Sequence, residues 1–245
     1  MVSINNREMS HNGDVTGVLS VIIPCFNESE TIEEVLRKVL NQPIVGQVIV
    51  INDASTDDSA AAISRVNDTR LEVYTLSKNA GKGNALSLGI MKSTKRFLII
   101  QDADLEYDPS QYVQIIQPLI DGLADVVYGS RFLSGGPRRV LYFWHRVGNS
   151  LLTLLSNVVT NLDLSDMETC YKAMRTDIAK SIKLKEKRFG IEPEITAKLA
   201  RRKFRIFEVA ISYNGRTYKE GKKITYKDGF SALRCILKYG LLRVE

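Results

Sequence analysis

The chain has 245 residues, 44% of them hydrophobic and 25% charged, with 16 Gly and 6 Pro; this excludes collagen, low-complexity and disordered classes and allows one or two folded domains. Its charge is unevenly divided: residues 1–125 hold 10 Lys and Arg against 17 Asp and Glu, and residues 126–245 hold 24 against 11. The basic second half calls for an anionic partner, and charge alone leaves nucleic acid, anionic lipid and phosphorylated small molecules open. No apolar run reaches the ~18 residues that cross a bilayer; the nearest, 151–159, carries Thr153, Ser156 and Asn157. Residues 1–17 are polar without the apolar core of a secretory signal, so a flexible start and a cytoplasmic chain are expected. Cys25, Cys170 and Cys235 lack metal-type spacing and read as reduced, partly buried thiols.

Taken in order, 18–23 is a short β-rich run, 29–40 has helical spacing with Glu30, Glu33 and Glu34 early, and 47–51 is a second apolar run. That is one strand–helix–strand unit. Residues 59–66 read as helix, 71–76 as strand, 82–92 as helix, 96–101 as a continuous apolar strand, 109–120 as a helix opened by Pro109, and 124–128 as a strand. The alternation predicts an α/β fold with a mostly parallel central sheet flanked by helices.

In open sheets of this kind ligands collect at the carboxyl ends of the strands. There the sequence is polar and acidic: Pro24-Cys25-Phe26-Asn27-Glu28, then Asn52-Asp53-Ala54-Ser55-Thr56-Asp57, then Asp102-Ala103-Asp104. No dinucleotide fingerprint or P-loop follows the first strand. Two carboxylates one residue apart at a strand end, Asp102 and Asp104, suit a hard cation that also takes phosphate oxygens, although an acidic turn capping the strand explains them as well. Asp53 has the acceptors for a ribose or nucleobase, or for a plain Asx-turn, the reading preferred for Ser55, Thr56 and Asp57. Gly81-Lys82-Gly83 brings an ammonium and backbone N–H groups to a diphosphate, or is simply a loop entering a helix.

These motifs, with Asn79-Ala80-Gly81-Lys82-Gly83-Asn84-Ala85 and Gly129-Ser130-Arg131, resemble in order those of family 2 glycosyltransferases of the GT-A fold. The likeness covers about residues 19–131 and is closest to the polyprenyl-phosphate (dolichol-phosphate) hexosyltransferase branch, whose acceptor-side motif 166–172 also resembles. It implies inverting hexose transfer from a UDP- or GDP-linked sugar to a polyprenyl phosphate, with Mg²⁺ or Mn²⁺ as cofactor. Carried over residue by residue, Asp53 lies near the base, Asp102 and Asp104 hold the metal and diphosphate, and Arg131 lies near the phosphates. Pro24, Asn27, Glu28, Gly81, Lys82 and Ala103 join them as substrate-binding candidates, and Asp104, Arg131 and Asp166 are the catalytic candidates. The chain departs from the pattern at Asn52, often Asp, and at Glu106, commonly Gln.

A lipid phosphate is already an anion at neutral pH and needs positioning rather than deprotonation. Arg138, Arg139, Lys172 and Arg175 are candidate cations, with Arg216, Lys219, Lys222 and Lys223 in a Gly-containing loop; of these Arg216 and Lys222 are the substrate-binding choices. Residues 183–188 read as a solvated basic face, and Glu192 as a carboxylate favourable at a helix start. A hydroxyl acceptor, on a polysaccharide or glycolipid, is the alternative and would use Asp166 or Glu168 as base. Residues 141–159 and 230–242 are amphipathic and suit peripheral contact at the inner membrane face. Nucleic acid is set aside for want of a recognised motif. The organisation expected is a flexible segment 1–17, a GT-A domain 18–212 and a basic loop with C-terminal amphipathic helix 213–245; a homo-oligomer or a membrane partner subunit stays open.

Overall fold

The computed structural model describes residues 15–133, 139–140, 142–188, 190–217, 220 and 226–242. Most of the predicted flexible start, together with Arg138, Leu141, Lys219, Lys222 and Lys223, lies outside the described residues.

Seven strands form one sheet: β1 (Leu19–Cys25), β2 (Val45–Asn52), β3 (Leu71–Thr75), β4 (Phe97–Ile100), β5 (Val126–Ser130), β6 (Lys172–Arg175) and β7 (Ile206–Ala210), in the order β3-β2-β1-β4-β6-β5-β7. Pairing is parallel throughout except at β6, which runs against β4 and β5. The chain builds outward from β1 through β2 to β3 and then returns to place β4 on the other side of β1. That reversal opens a crevice at the carboxyl ends of β1 and β4.

The helices are α1 (Ile32–Leu40), α2 (Ser59–Ser64), α3 (Lys82–Lys92), α4 (Tyr112–Ile120), α5 (Phe143–Thr160), α6 (Thr176–Ser181), α7 (Ile191–Arg201) and α8 (Tyr226–Cys235), the last continued by a π-helical turn (Ile236–Leu241). α1 shows why these segments are helical. Ile32, Val35, Leu36, Val39 and Leu40 line one buried stripe, while Glu33 and Glu34 in the first turn pair with Arg37 and Lys38 in the last. β1, β2 and β4 are buried on both faces, which is why they read as continuous apolar runs. The sequence reading did not mark β6 and β7. β6 is four residues opening on a lysine, and β7 has one half-exposed edge, so neither carries a strong apolar signature.

α3 lies close on the sheet because Gly89 faces β1: a Cβ there would stand 2.3 Å from the Ile22 Cγ2 methyl. Glycine sets the spacing between α3 and the middle of β1. Gly89→Val is expected to lower unfolding free energy by about 2 kcal/mol through overpacking, read as a lower urea midpoint; an unchanged midpoint contradicts this packing.

Candidate active site

Two polar turns are stitched together at the ends of β1 and β2. Asn27 adopts a left-handed backbone (φ 54°), and its side-chain oxygen accepts from Thr56 N–H at 2.8 Å while its own N–H donates to Ser55 Oγ at 3.1 Å. Asp57 accepts from Ser59 N–H and from Ser29 N–H; burial pushes its carboxyl up, but these bonds win and hold it down at about 2. Ser55 N–H donates to Asn52 Oδ1, the Asx-turn expected there. The turns are therefore a scaffold, and Asn27 holds it rather than lining the cleft.

Asp53, 3% exposed, points to the start of α3. Its two oxygens accept from the N–H groups of Ala80 and Gly81 at 2.7 and 2.8 Å, which fixes the turn that carries Lys82. Gly81 has φ 89° and no room for a Cβ, so the turn requires glycine.

The cleft above these turns has a volume of about 320 Å³, the size of a small-molecule site. Of the sequence-predicted residues, Pro24, Glu28, Asp53, Gly81, Lys82, Asp102, Ala103, Asp104 and Arg216 line it, joined by Phe26, Glu106 and Arg188. Lys82 Nζ meets Asp102 at 2.8 Å and Glu192 at 3.6 Å. Arg216 reaches three carboxylates, Asp104 at 2.6 Å, Glu28 at 3.2 Å and Glu106 at 3.4 Å. Glu106 also takes the Tyr213 hydroxyl and the Arg216 N–H. Five carboxylates thus face these two cations. Burial first, then the charges of Asp102 and Glu106, push Asp104 up to about 7 against the pull of Arg216. Burial alone would lower Lys82 and raise Asp102, but their mutual attraction reverses both.

That uncompensated charge on hard oxygen donors is what a divalent cation relieves, so Asp102 and Asp104 fit Mg²⁺ or Mn²⁺. Among the described residues no three His, Cys, Asp or Glu side chains converge as a metal site. A cation held here would complete its shell with substrate oxygens and water.

Arg131 and Asp166 stand beside the cleft as a closed pair. Asp166 is fully buried and takes Arg131 Nε at 2.6 Å and Nη2 at 2.7 Å, with the Arg131 N–H and Asn149 as further donors. Burial works against the Arg131 charge, and Asp166 more than restores it. Arg131 lies over the Tyr213 ring at 5.2 Å, next to the residues that hold Glu106.

Three residues that sequence reasoning assigned elsewhere matter here. Glu192, read as a helix-start carboxylate, is buried and bonded to Lys172. Lys172, read as a positioning cation, is buried and also donates to the carbonyls of Met167 and Thr169. Arg188, read as part of a solvated face, reaches the cleft. The acid–base spacing that joins Lys172 to Glu192 is nonlocal, so no local pattern marks it. Glu168 Oε1 and Glu192 Oε1 are buried oxygens with no hydrogen-bond partner among the described residues. Burial and the Glu192 charge push Glu168 up to about 7, with Lys172 and Arg131 opposing.

Comparison with known proteins then assigns the chain: the profile of "Glycosyl transferase family 2" matches residues 20–183. The chain belongs to this family. This family 2 chain is 25% identical over 232 residues to a dolichol-phosphate mannosyltransferase of Pyrococcus furiosus, covering 93% of the chain and 64% of that protein's length. It is 28% identical over 209 residues to an undecaprenyl-phosphate mannosyltransferase of Micrococcus luteus, covering 82% and 85%. The glucosyl-3-phosphoglycerate synthase of Mycobacterium tuberculosis, solved with Mn²⁺, UDP and glucosyl-3-phosphoglycerate, superposes with a TM-score of 0.71 at 18% identity, over 91% of this chain and 80% of that one. The fold is GT-A, as the resemblance implied.

Asp104 and Glu168 are both raised on folding, so the folded protein keeps protons that the unfolded chain has already lost above about pH 4. Stability is therefore expected to fall as pH rises from about 4 to about 7, with a shallower fall in Asp104→Asn. Thermal melts across that interval check this; a melting temperature that climbs with pH would contradict it.

Proposed function

We propose that this family 2 chain moves a hexose from a nucleoside-diphosphate sugar to a polyprenyl phosphate, with inversion at the anomeric carbon. The observation that carries the reading is the acidic cleft itself, where Glu28, Asp102, Asp104 and Glu106 face Lys82 and Arg216 at the crevice between β1 and β4. Phe26 at the rim and Asp53 beneath it suit the nucleoside. Lys82, Arg188 and Arg216 suit the diphosphate, and the buried Glu168 and Glu192 oxygens that accept no hydrogen bond among the described residues suit sugar hydroxyls. Asp102 and Asp104 would hold Mg²⁺ or Mn²⁺, which when bound would supply Lewis-acid compensation for the departing diphosphate.

In the transfer an oxygen of the lipid phosphate forms a bond to the anomeric carbon from the face opposite the diphosphate. The carbon–oxygen bond to the diphosphate breaks, and its electron pair leaves with the nucleotide. Lys82 and Arg216 offset the charge that develops there. The nucleophile is already anionic, so no base is required. That matches Asp166, whose oxygens are committed to Arg131 and Asn149. Asp166 then orients Arg131, which the resemblance puts near the phosphates. Arg139, half-exposed and paired with Glu220, is an acceptor-side cation.

Peripheral membrane contact belongs to the same reading. α5 exposes Phe143, Trp144, Leu151, Leu154 and Val158, and the C-terminal segment exposes Phe230, Leu237, Leu241 and Leu242. α5 and α8 pack together, so their apolar positions lie on neighbouring elements. No described helix is long and apolar enough to cross a membrane. The three cysteines are buried and none pairs in a disulfide, which suits the cytoplasmic face.

The test is turnover of UDP- and GDP-hexoses with Mg²⁺ or Mn²⁺, with and without polyprenyl phosphate in vesicles. Nucleotide release that needs the lipid, and that falls about 100-fold or more in Asp104→Ala, is the expected result. Release driven instead by a hydroxyl acceptor, and lost in Glu168→Gln, would transfer the assignment to a polysaccharide or glycolipid transferase.

A further inference from the structure

Residues 185–188 form a bridge between the C-terminal helix and the cleft. From the C-terminal side, Arg234 Nη2, Lys238 Nζ and the Tyr239 hydroxyl all donate to the Glu186 carboxylate, at 2.5, 2.9 and 2.9 Å. From α7, the buried Glu194 accepts the N–H groups of Lys185 and Glu186 at 2.9 and 2.8 Å, its own charge met by Lys198. From the cleft side, Gly83 N–H donates to the Lys187 carbonyl at 2.9 Å. The approach is so close that a Cβ on Gly81 would stand 2.1 Å from the Lys187 oxygen, and one on Gly83 1.9 Å from the Glu186 oxygen. The bridge ends at Arg188, an exposed cation on the cleft wall with no ion pair among the described residues. Gly190 then packs on α8, where a Cβ would stand 2.4 Å from the Cys235 sulfur.

The bridge has no secondary structure of its own, so its conformation is set by what holds it from each side. Glu194 and Gly83 bond only its backbone. Glu186 is the side chain through which it is joined to the C-terminal segment, and three donors on one carboxylate make that joint charge-assisted. Burial alone would raise the Glu186 carboxyl, but Lys238, Tyr239 and Arg234 hold it down at about 2.

We propose that Glu186 is a positioning residue of the donor site: clasped by Arg234, Lys238 and Tyr239, it seats residues 185–188 against the Gly81-Lys82-Gly83 turn and so fixes Lys82 and Arg188 at the diphosphate. This rests on the donor-site reading above. Without the carboxylate, Arg234 and Lys238 repel each other across an empty joint, and the bridge is free to withdraw from the start of α3. The nucleotide then meets a wall whose cations must be ordered during binding.

The experiment compares full-length wild type, Glu186→Gln, Glu186→Asp and Arg234→Gln. Hydrogen exchange is followed by mass spectrometry over residues 81–90 and 184–190, UDP and GDP affinity by calorimetry with Mg²⁺, and donor KM and kcat by steady-state turnover. Glu186→Gln is expected to speed exchange in both segments and to raise nucleotide Kd and donor KM about tenfold, with kcat at saturating donor within about twofold. Glu186→Asp recovers most of the affinity, and Arg234→Gln, an exposed partner, moves the same quantities less. A folded Glu186→Gln protein with wild-type exchange and wild-type Kd overturns the role, as does a loss confined to kcat. If Glu186→Gln does not fold, unchanged exchange and Kd in Arg234→Gln overturn it. Wild-type protein that binds neither nucleotide overturns the donor reading itself, a result distinct from any difference between variants.

Discussion

A single guanidinium organises the acidic cleft. Arg216 arrives from the chain beyond β7 and meets Glu28 from the turn after β1 together with Asp104 and Glu106 from the turn after β4. Segments nearly two hundred residues apart are thereby drawn to one point. Even so the cation does not balance its neighbours, because burial and mutual repulsion still leave Asp104 high. The cleft is electrostatically unfinished, and a site in that condition gains most from binding more positive charge or from holding a proton.

The rest of the architecture keeps those groups from relaxing apart. Gly89 lets α3 lie low on β1, Asp53 ties down the turn that presents Lys82, and the sheet beneath is buried on both faces. Behind Lys82 stands a second layer of charge, Glu192 against the buried Lys172. Lys172 is held in turn by two backbone carbonyls, so its ammonium is fully engaged. Buried pairs of this kind contribute little net stability but are costly to break, and here they give the cleft a stiff back wall.

Much of this was legible in the sequence, and the reason is local. The strands of the first half announce themselves as apolar runs, and each polar turn follows its strand directly, so Asp53, Asp102 and Asp104 stand where the pattern says they should. Lys82 was legible as a residue, because a lysine between two glycines at a helix start can bring an ammonium and backbone N–H groups to a diphosphate, although a simple loop explained it equally. Glu192 and Arg188 were not. Both lie in segments rich in charge, where a solvated surface is the ordinary outcome, and only the packing of 185–188 against α3 and of α7 against β6's lysine turns them inward. Asp166 was found as a residue but not as a partner: nothing in the spacing of 131 and 166 shows that one closes on the other.

The orientation of β6 has a consequence for where function is written in the second half. Because β6 runs against β4 and β5, its first residue lies beside their carboxyl ends, with Ala173 opposite Ile99 and Lys172 opposite Tyr128. The residues that precede β6, Asp166, Glu168 and Cys170 among them, are therefore delivered to the crevice, while those that follow it, Thr176 and Asp177, emerge on the far side of the sheet beside Lys95 and Arg96. Reversing one strand reverses the reading direction: in the parallel part of this protein chemistry is found downstream of a strand, and at β6 it is found upstream.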